Sequence, residues 1–207
     1  MTLTSDELLD AARVIPVLTV ADPAHGQPLA RALKAGGLRV VEMTWRTEAA
    51  LEVMAEMKAA EPDLIVGMGT IRTPGQIDAC LKQGVDFFVS PGLTPALGAA
   101  LLESGVPALP GIATASEAMQ AREVGFKALK FFPAEQSGGI AFLKALSGPL
   151  PDIRFCPTGG ISAELAEAYL ALPNVGCVGG SWVATAGQLE AGDWNGITQN
   201  ARRAAGA

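Results

Sequence analysis

KALKFFP, residues 127–133, sets a lysine in the middle of a short apolar run that ends on a proline. Read as a strand, the run alternates. Ala128, Lys130 and Phe132 share one face, and Leu129 and Phe131 share the other. If Leu129 and Phe131 pack outward against helices, Lys130 points into the middle of the fold. Seven more runs are built the same way: VIPVLTV (14–20), LRVVEMT (38–44), LIVGMGT (64–70), DFFVSPG (86–92), VPALPGI (106–112), IRFCPTGG (153–160) and VGCVGGS (175–181). They are short, almost continuously apolar, and rich in β-branched or aromatic residues. Such runs suit strands buried on both faces of a parallel sheet. Pro91, Pro110, Pro133 and Pro157 recur at the same place in four successive units. Proline has no N–H to donate, so each is read as the end of a strand.

The segments between the runs read as helices. Ala50, Val53, Met54 and Met57 fall on one stripe, as do Ile77, Cys80 and Leu81. Thr73-Pro74-Gly75-Gln76 offers an N-cap, a proline at the first helical position and a capping-box glutamine. Thr94-Pro95 repeats the first two features, Thr114 and Glu117 form a second capping box, and Ser162 is a further cap. Gly36-Gly37, Gly84, Gly105 and Gly125 each read as a helix stop before a strand. Eight strand–helix units in one α/β chain predict a single-domain (β/α)8 barrel over residues 1–207. An extra helix over residues 3–12 is expected on its N-terminal side. The alternative, an open doubly wound sheet, would be favoured by a GxGxxG after the first strand, and none is present.

Composition removes several function classes. The chain has 207 residues, 49 % of them apolar and 17 % charged, which favours one buried core over disorder. Its net charge is −6, and no run of Lys or Arg stands out, so nucleic acid is a poor partner. An anionic small molecule remains open, since a local cationic pocket can act inside an acidic protein. The opening MTLTSDELLDAARV lacks the basic and apolar regions of a signal peptide, and no apolar stretch is long enough to span a membrane. A cytoplasmic location is the expectation. Cys80, Cys156 and Cys177 form no CxxC and are read as reduced, buried apolar residues. With His25 as the only histidine, neither a zinc site nor a Ser-His-Asp triad is expected. No cofactor is implied.

In a barrel of this kind the chemistry sits at the C-terminal ends of the strands. Glu42 is the one acid inside an apolar strand core, Lys130 lies in the sixth run, and Arg46 and Thr70 stand at strand ends. Burial disfavours the ammonium form of an amine, and a neutral amine in a dry pocket can attack a ketone. Lys130 is therefore read either as that nucleophile or as a structural lysine paired with a carboxylate. Glu42 is either an acid/base beside it or a salt-bridge partner of Lys130 or Arg46. Arg46 is read either as a clamp for a substrate carboxylate or as a surface residue. Thr158-Gly159-Gly160 and Gly179-Gly180-Ser181 follow the last two strands, where barrels bind phosphate through backbone N–H groups.

The segments GGLRVVEMTWRT (36–47), GMGT (67–70), VSPGLTP (89–95), LPGIAT (109–114), LKFFPAE (129–135), FCPTGGIS (155–162) and GGSW (179–182) closely resemble the 2-keto-3-deoxy-6-phosphogluconate (KDPG) aldolases, a class I family that includes the 4-hydroxy-2-oxoglutarate aldolases. The resemblance runs from about residue 5 to 206. It implies that Lys130 forms an imine and that Glu42 is the acid/base. It implies that Arg46 and Thr70 hold the pyruvate carboxylate, and that Pro91 and Phe132 shape the pocket. Gly159, Gly160, Gly179, Gly180 and Ser181 match a phosphate cradle. The products implied are pyruvate and glyceraldehyde 3-phosphate, the assembly a homotrimer, and the pathway the Entner–Doudoroff. Thr19 stands where some relatives have an arginine facing the site. Trp45 replaces a smaller apolar residue, either reshaping the pocket edge or packing on the second helix.

Overall fold

The computed structural model describes residues 3–206. Its strands are β1 Val14–Leu18, β2 Val40–Thr44, β3 Ile65–Gly69, β4 Phe87–Val89, a split β5 (Ala108–Leu109 and Gly111–Ile112), β6 Ala128–Phe131, β7 Arg154–Pro157 and β8 Val178–Gly180. All pair in parallel with their sequence neighbours, and β8 returns to β1 through Val14↔Val178, Ile15↔Gly179 and Pro16↔Gly180. Single bridges, Phe155↔Val175 and Thr158↔Gly179, join β7 to β8 and close the ring.

The break in β5 corrects one expectation. Pro110 interrupts its strand and does not end it. The first half pairs with β4 and the second with β6. Pro110 has no N–H to give, but its carbonyl accepts from Lys130 N–H at 2.9 Å, so the ladder passes through it to β6.

Strand alternation sorts the core into two layers. Val41, Met43, Leu129, Phe131 and Phe155 face outward and pack with the helices. Ile15, Val40, Phe87, Val89, Leu109, Ala128, Cys156 and Cys177 fill the barrel itself. Glu42 and Lys130 each sit between two outward-facing neighbours and therefore point inward. The bottom of the barrel is plugged by Leu8 and Leu9 from α1 (Ser5–Asp10), which belong to the inner cluster. The extra helix is thus present and shorter than the 3–12 segment expected. Thr4 caps it, with Glu7 closing the capping box, and Asp10 binds Arg154 of β7 at 2.5 Å.

The outer helices are α2 Gly26–Ala35, α3 Ala50–Ala60, α4 Pro74–Leu81, α5 Pro95–Glu103, α6 Ala115–Glu123, α7 Gly139–Leu146, α8 Ala163–Leu170, α9 Ala186–Ala191 and α10 Trp194–Ala205. Three of the expected caps are made by hydroxyls: Thr94 accepts from Leu97 N–H, Thr114 from Glu117 N–H, and Ser162 from Leu165 N–H; at Thr73 the Gln76 side chain accepts from Thr73 N–H at 3.2 Å. The α3 stripe is fully buried. The α4 stripe is narrower than expected. Ile77 and Cys80 are buried, but Leu81 is 39 % exposed because it lies on the solvent side of the arc they define. Of the paired stop glycines, Gly37 (φ +91°) reverses the chain. Gly36 serves another purpose: a Cβ there would fall 2.3 Å from Ala201 Cβ, so its absence lets α10 lie on α2. No described helix is long and apolar enough to cross a membrane.

Leu9 tests whether α1 is part of the barrel. Leu9→Ala is expected to lower unfolding stability by about 2–5 kcal/mol, the cost of a cavity in a core. Urea denaturation checks this, and a loss below about 1 kcal/mol would show α1 to be an appendage.

Candidate active site

Val17 of β1 pairs in register with Glu42 of β2, and Gly111 of β5 with Lys130 of β6. Glu42 and Lys130 approach across the barrel interior, with Lys130 Nζ donating to Glu42 Oε1 at 3.3 Å. They are 3 % and 4 % exposed, and they are the only charged groups among the buried described residues. Glycines make room for Glu42 and for the loop that crosses the lysine strand's neighbour. A Cβ on Gly69 would fall 2.0 Å from Glu42 Oε1, and one on Gly111 would strike the Pro91 carbonyl carbon at 2.4 Å. The Phe132 ring centre lies 5.3 Å from Nζ, close enough for a cation–π contact.

Beside this pair opens a cleft of about 100 Å³. Arg46, Phe132, Thr158, Gly159, Gly160, Gly179 and Ser181 line it, together with Val17 and Ile161. Seven of the residues singled out in the sequence therefore meet in one place. Gly159 (φ +103°) and Gly160 (φ +77°) are left-handed in succession, a shape only glycine adopts freely. Gly179 leaves the space that Thr158 occupies, since a Cβ there would sit 2.3 Å from Thr158 Oγ1. Gly180 faces the other way, toward Val14 and Trp182. Pro91 is exposed on the loop after β4 and reaches the site through its backbone contact with Gly111.

Thr70 accepts from Arg46 Nε at 3.3 Å. It is the one non-glycine with positive φ among the described residues (+61°), a conformation that is costly for a β-branched side chain. Such strain collects where a side chain must be aimed. Here it brings Thr70 Oγ1 and the guanidinium of Arg46 together at the barrel mouth.

A family model described as KDPG and KHG aldolase matches residues 5–200. The chain belongs to this aldolase family. It is 47 % identical to the 2-dehydro-3-deoxy-phosphogluconate aldolase of Pseudoalteromonas atlantica, over 98 % of this chain and 94 % of that relative. It is 45 % identical to the KHG/KDPG aldolase of Escherichia coli K12, over 97 % and 94 %. Among solved structures it is similar to the KDPG aldolase of Legionella pneumophila, with TM-score 0.95, 40 % identity and 98 % of each chain covered. That protein was captured with pyruvate as a covalent carbinolamine.

Two buried hydroxyls near this site escaped the sequence reading. Thr44, fully buried, donates its one O–H proton to Leu18 C=O at 2.8 Å. Its oxygen is 2.8 Å from Thr19 Oγ1, so Thr19 must be the donor of that second bond. Thr19 thus stands exposed at the mouth with its proton committed and its lone pairs free. Thr44 is two residues beyond Glu42, so the strand period itself pointed to it. Ser90, also buried, donates to Gly92 C=O and accepts from Gly111 N–H, bracing the loop that carries Pro91. Trp45 is partly buried and packs on the outer hydrophobic layer.

The cysteines are free and buried, as read from the sequence. Burial pushes the Cys80 thiol up to about 12. The Cys177 thiol is held well above its ordinary value by its hydrogen bond with Cys156 and by burial. Because the thiolate is the reactive form, Cys80 and Cys177 should stay unalkylated when native protein meets iodoacetamide near pH 8. Unfolding in urea should expose all three to labelling. Rapid labelling of either in the native state, mapped by peptide mass, would contradict this.

Proposed function

We propose that the chain is a class I aldolase that cleaves KDPG to pyruvate and glyceraldehyde 3-phosphate through an imine on Lys130. The carrying observation is the buried Lys130–Glu42 pair at 3.3 Å beside the glycine-lined cleft. Names borne by the similar proteins support the same activity, and so does the pyruvate adduct of the Legionella relative.

The 3.3 Å contact lets a proton pass directly between Lys130 Nζ and Glu42 Oε1. Moving the proton from Nζ to Oε1 leaves an amine with a free lone pair and a protonated carboxyl beside it. The amine attacks the C2 carbonyl carbon as the C=O π pair moves to oxygen, and the resulting alkoxide takes the proton shed by the now cationic nitrogen, giving a neutral carbinolamine while Glu42 stays protonated. Loss of its hydroxyl as water, with the acid form of Glu42 donating the proton, gives the imine. The carboxylate then accepts the C4 hydroxyl proton. The C3–C4 bond breaks, its electron pair enters the imine as an enamine, and the aldehyde leaves. Protonation at C3 and hydrolysis release pyruvate and return the amine.

Arg46 and Thr70 hold the carboxylate end, with Arg46 adding the fixed positive charge. Pro91 and Phe132 enclose the pyruvyl group. Thr158, Gly159, Gly160, Gly179, Gly180 and Ser181 form the phosphate end. The whole chain acts as one unit in this reading, and the family resemblance adds a homotrimer, a cytoplasmic location and a step in the Entner–Doudoroff pathway.

Pyruvate release from three substrates tests the assignment: KDPG, its C4 epimer derived from galactonate, and unphosphorylated 4-hydroxy-2-oxoglutarate. KDPG should give the highest kcat/KM, by at least about tenfold over the unphosphorylated acid, since charge-assisted bonds to phosphate are lost. Glu42→Gln should lower kcat by roughly 10²–10⁴. Equal kcat/KM on all three substrates, or an unimpaired Glu42→Gln enzyme, would overturn the reading.

A further inference from the structure

Tyr169, the chain's single tyrosine, is fully buried on α8 and has no part in the steps above. Its hydroxyl donates to Glu135 Oε1. Glu135 stands on the turn that leaves β6, shortly after Lys130. From this turn, Ala134 N–H donates to Thr158 C=O at 2.8 Å, and Glu135 N–H donates to Gly159 C=O at 3.2 Å. The Glu135 side chain also lies against Gly160, where a Cβ would fall 2.9 Å from Glu135 Cβ and Cγ. The glycine loop is therefore laid along the turn that follows the lysine strand.

What fixes the turn itself is the question. The β6–β7 ladder reaches Phe131↔Pro157 and stops, so the loop lies beyond it. Two consecutive left-handed glycines have little stiffness of their own. On its far side the turn is closed on itself by Ser137 N–H to Pro133 C=O at 3.0 Å and Gly139 N–H to Ala134 C=O at 2.9 Å, which leaves its placement against α8 to side chains. Among the described residues, Tyr169–Glu135 is the one side-chain hydrogen bond that joins the turn to α8. Gly139 is fitted to it: a Cβ there would lie 3.1 Å from Tyr169 Oη and 3.2 Å from Glu135 Oε1.

One substrate must reach Lys130 with its ketone and the glycine loop with its phosphate at the same time. The distance between the two ends must then be set by something rigid. We propose that Tyr169 and Glu135 are positioning residues, whose hydrogen bond fixes the Gly159–Gly160 loop at the separation from Lys130 that the phosphorylated substrate needs. This rests on the reading of that loop as the phosphate site.

Tyr169→Phe keeps the ring and removes the bond. Its KM for KDPG should rise roughly five- to tenfold, with kcat within about twofold. Kinetic constants for unphosphorylated 4-hydroxy-2-oxoglutarate, and the exchange of pyruvate methyl protons with solvent, should move less than about twofold. Glu135→Ala should reproduce these effects. Glu135→Gln, whose amide oxygen still accepts from Tyr169, should keep the wild-type KM. An unchanged KM for KDPG in Tyr169→Phe overturns the proposal. So does an equal shift with both substrates, the pattern of a bond that only stabilises the fold. If wild-type enzyme itself shows no preference for the phosphorylated substrate, the phosphate reading falls and takes the proposal with it. The two failures are thus read on different proteins.

Discussion

A lysine and a glutamate buried together in the barrel, Nζ to Oε1 at 3.3 Å, set the terms for everything around them. Each ion out of water costs several kcal/mol, so neither tolerates being left alone there. Removing one partner of such a pair typically destabilises a protein by about 3–5 kcal/mol. The pair is thus a poor source of stability. Gly69 clears the space for Glu42, and the apolar interior residues below exclude water. The inner cluster with its α1 plug has the same consequence: the floor of the site is dry.

The barrel serves this pair by geometry. Parallel strands carry all their C-terminal ends to one rim, so residues far apart in sequence meet there. Glu42 and Lys130 come from strands on different sides of the ring, and Arg46, Thr158 and Gly179 from the C-terminal ends of β2, β7 and β8. Pro110 breaks β5, yet its carbonyl still accepts from the Lys130 N–H and so anchors the backbone of that lysine. Among the described residues, the one non-glycine backbone in the left-handed region is at the rim, at Thr70.

What the sequence displayed was local. The inward aim of Lys130 and Glu42 follows from a period of two and apolar neighbours on both sides. The caps at Thr94, Thr114 and Ser162 follow from pairs three residues apart. Close approaches between distant segments left no such mark. Gly36 read as a stop signal, whereas its packing role depends on Ala201. Leu81 fitted the helical stripe, but α4 buries a narrower arc than the period alone suggests. Pro110 read as a strand end because nothing local reveals that the next strand accepts the ladder. Tyr169 carried no signal, since its importance lies in Glu135, a residue met only after folding.

The central claim is that the Lys130 amine becomes covalently joined to pyruvate. Full-length protein mixed with pyruvate and sodium borohydride, then weighed intact and mapped by peptide mass, tests it most directly. The account predicts one reduced pyruvyl group per chain, on the peptide carrying Lys130, and none on Lys130→Met. No added mass on the wild-type chain, or an adduct on a different lysine, would contradict it.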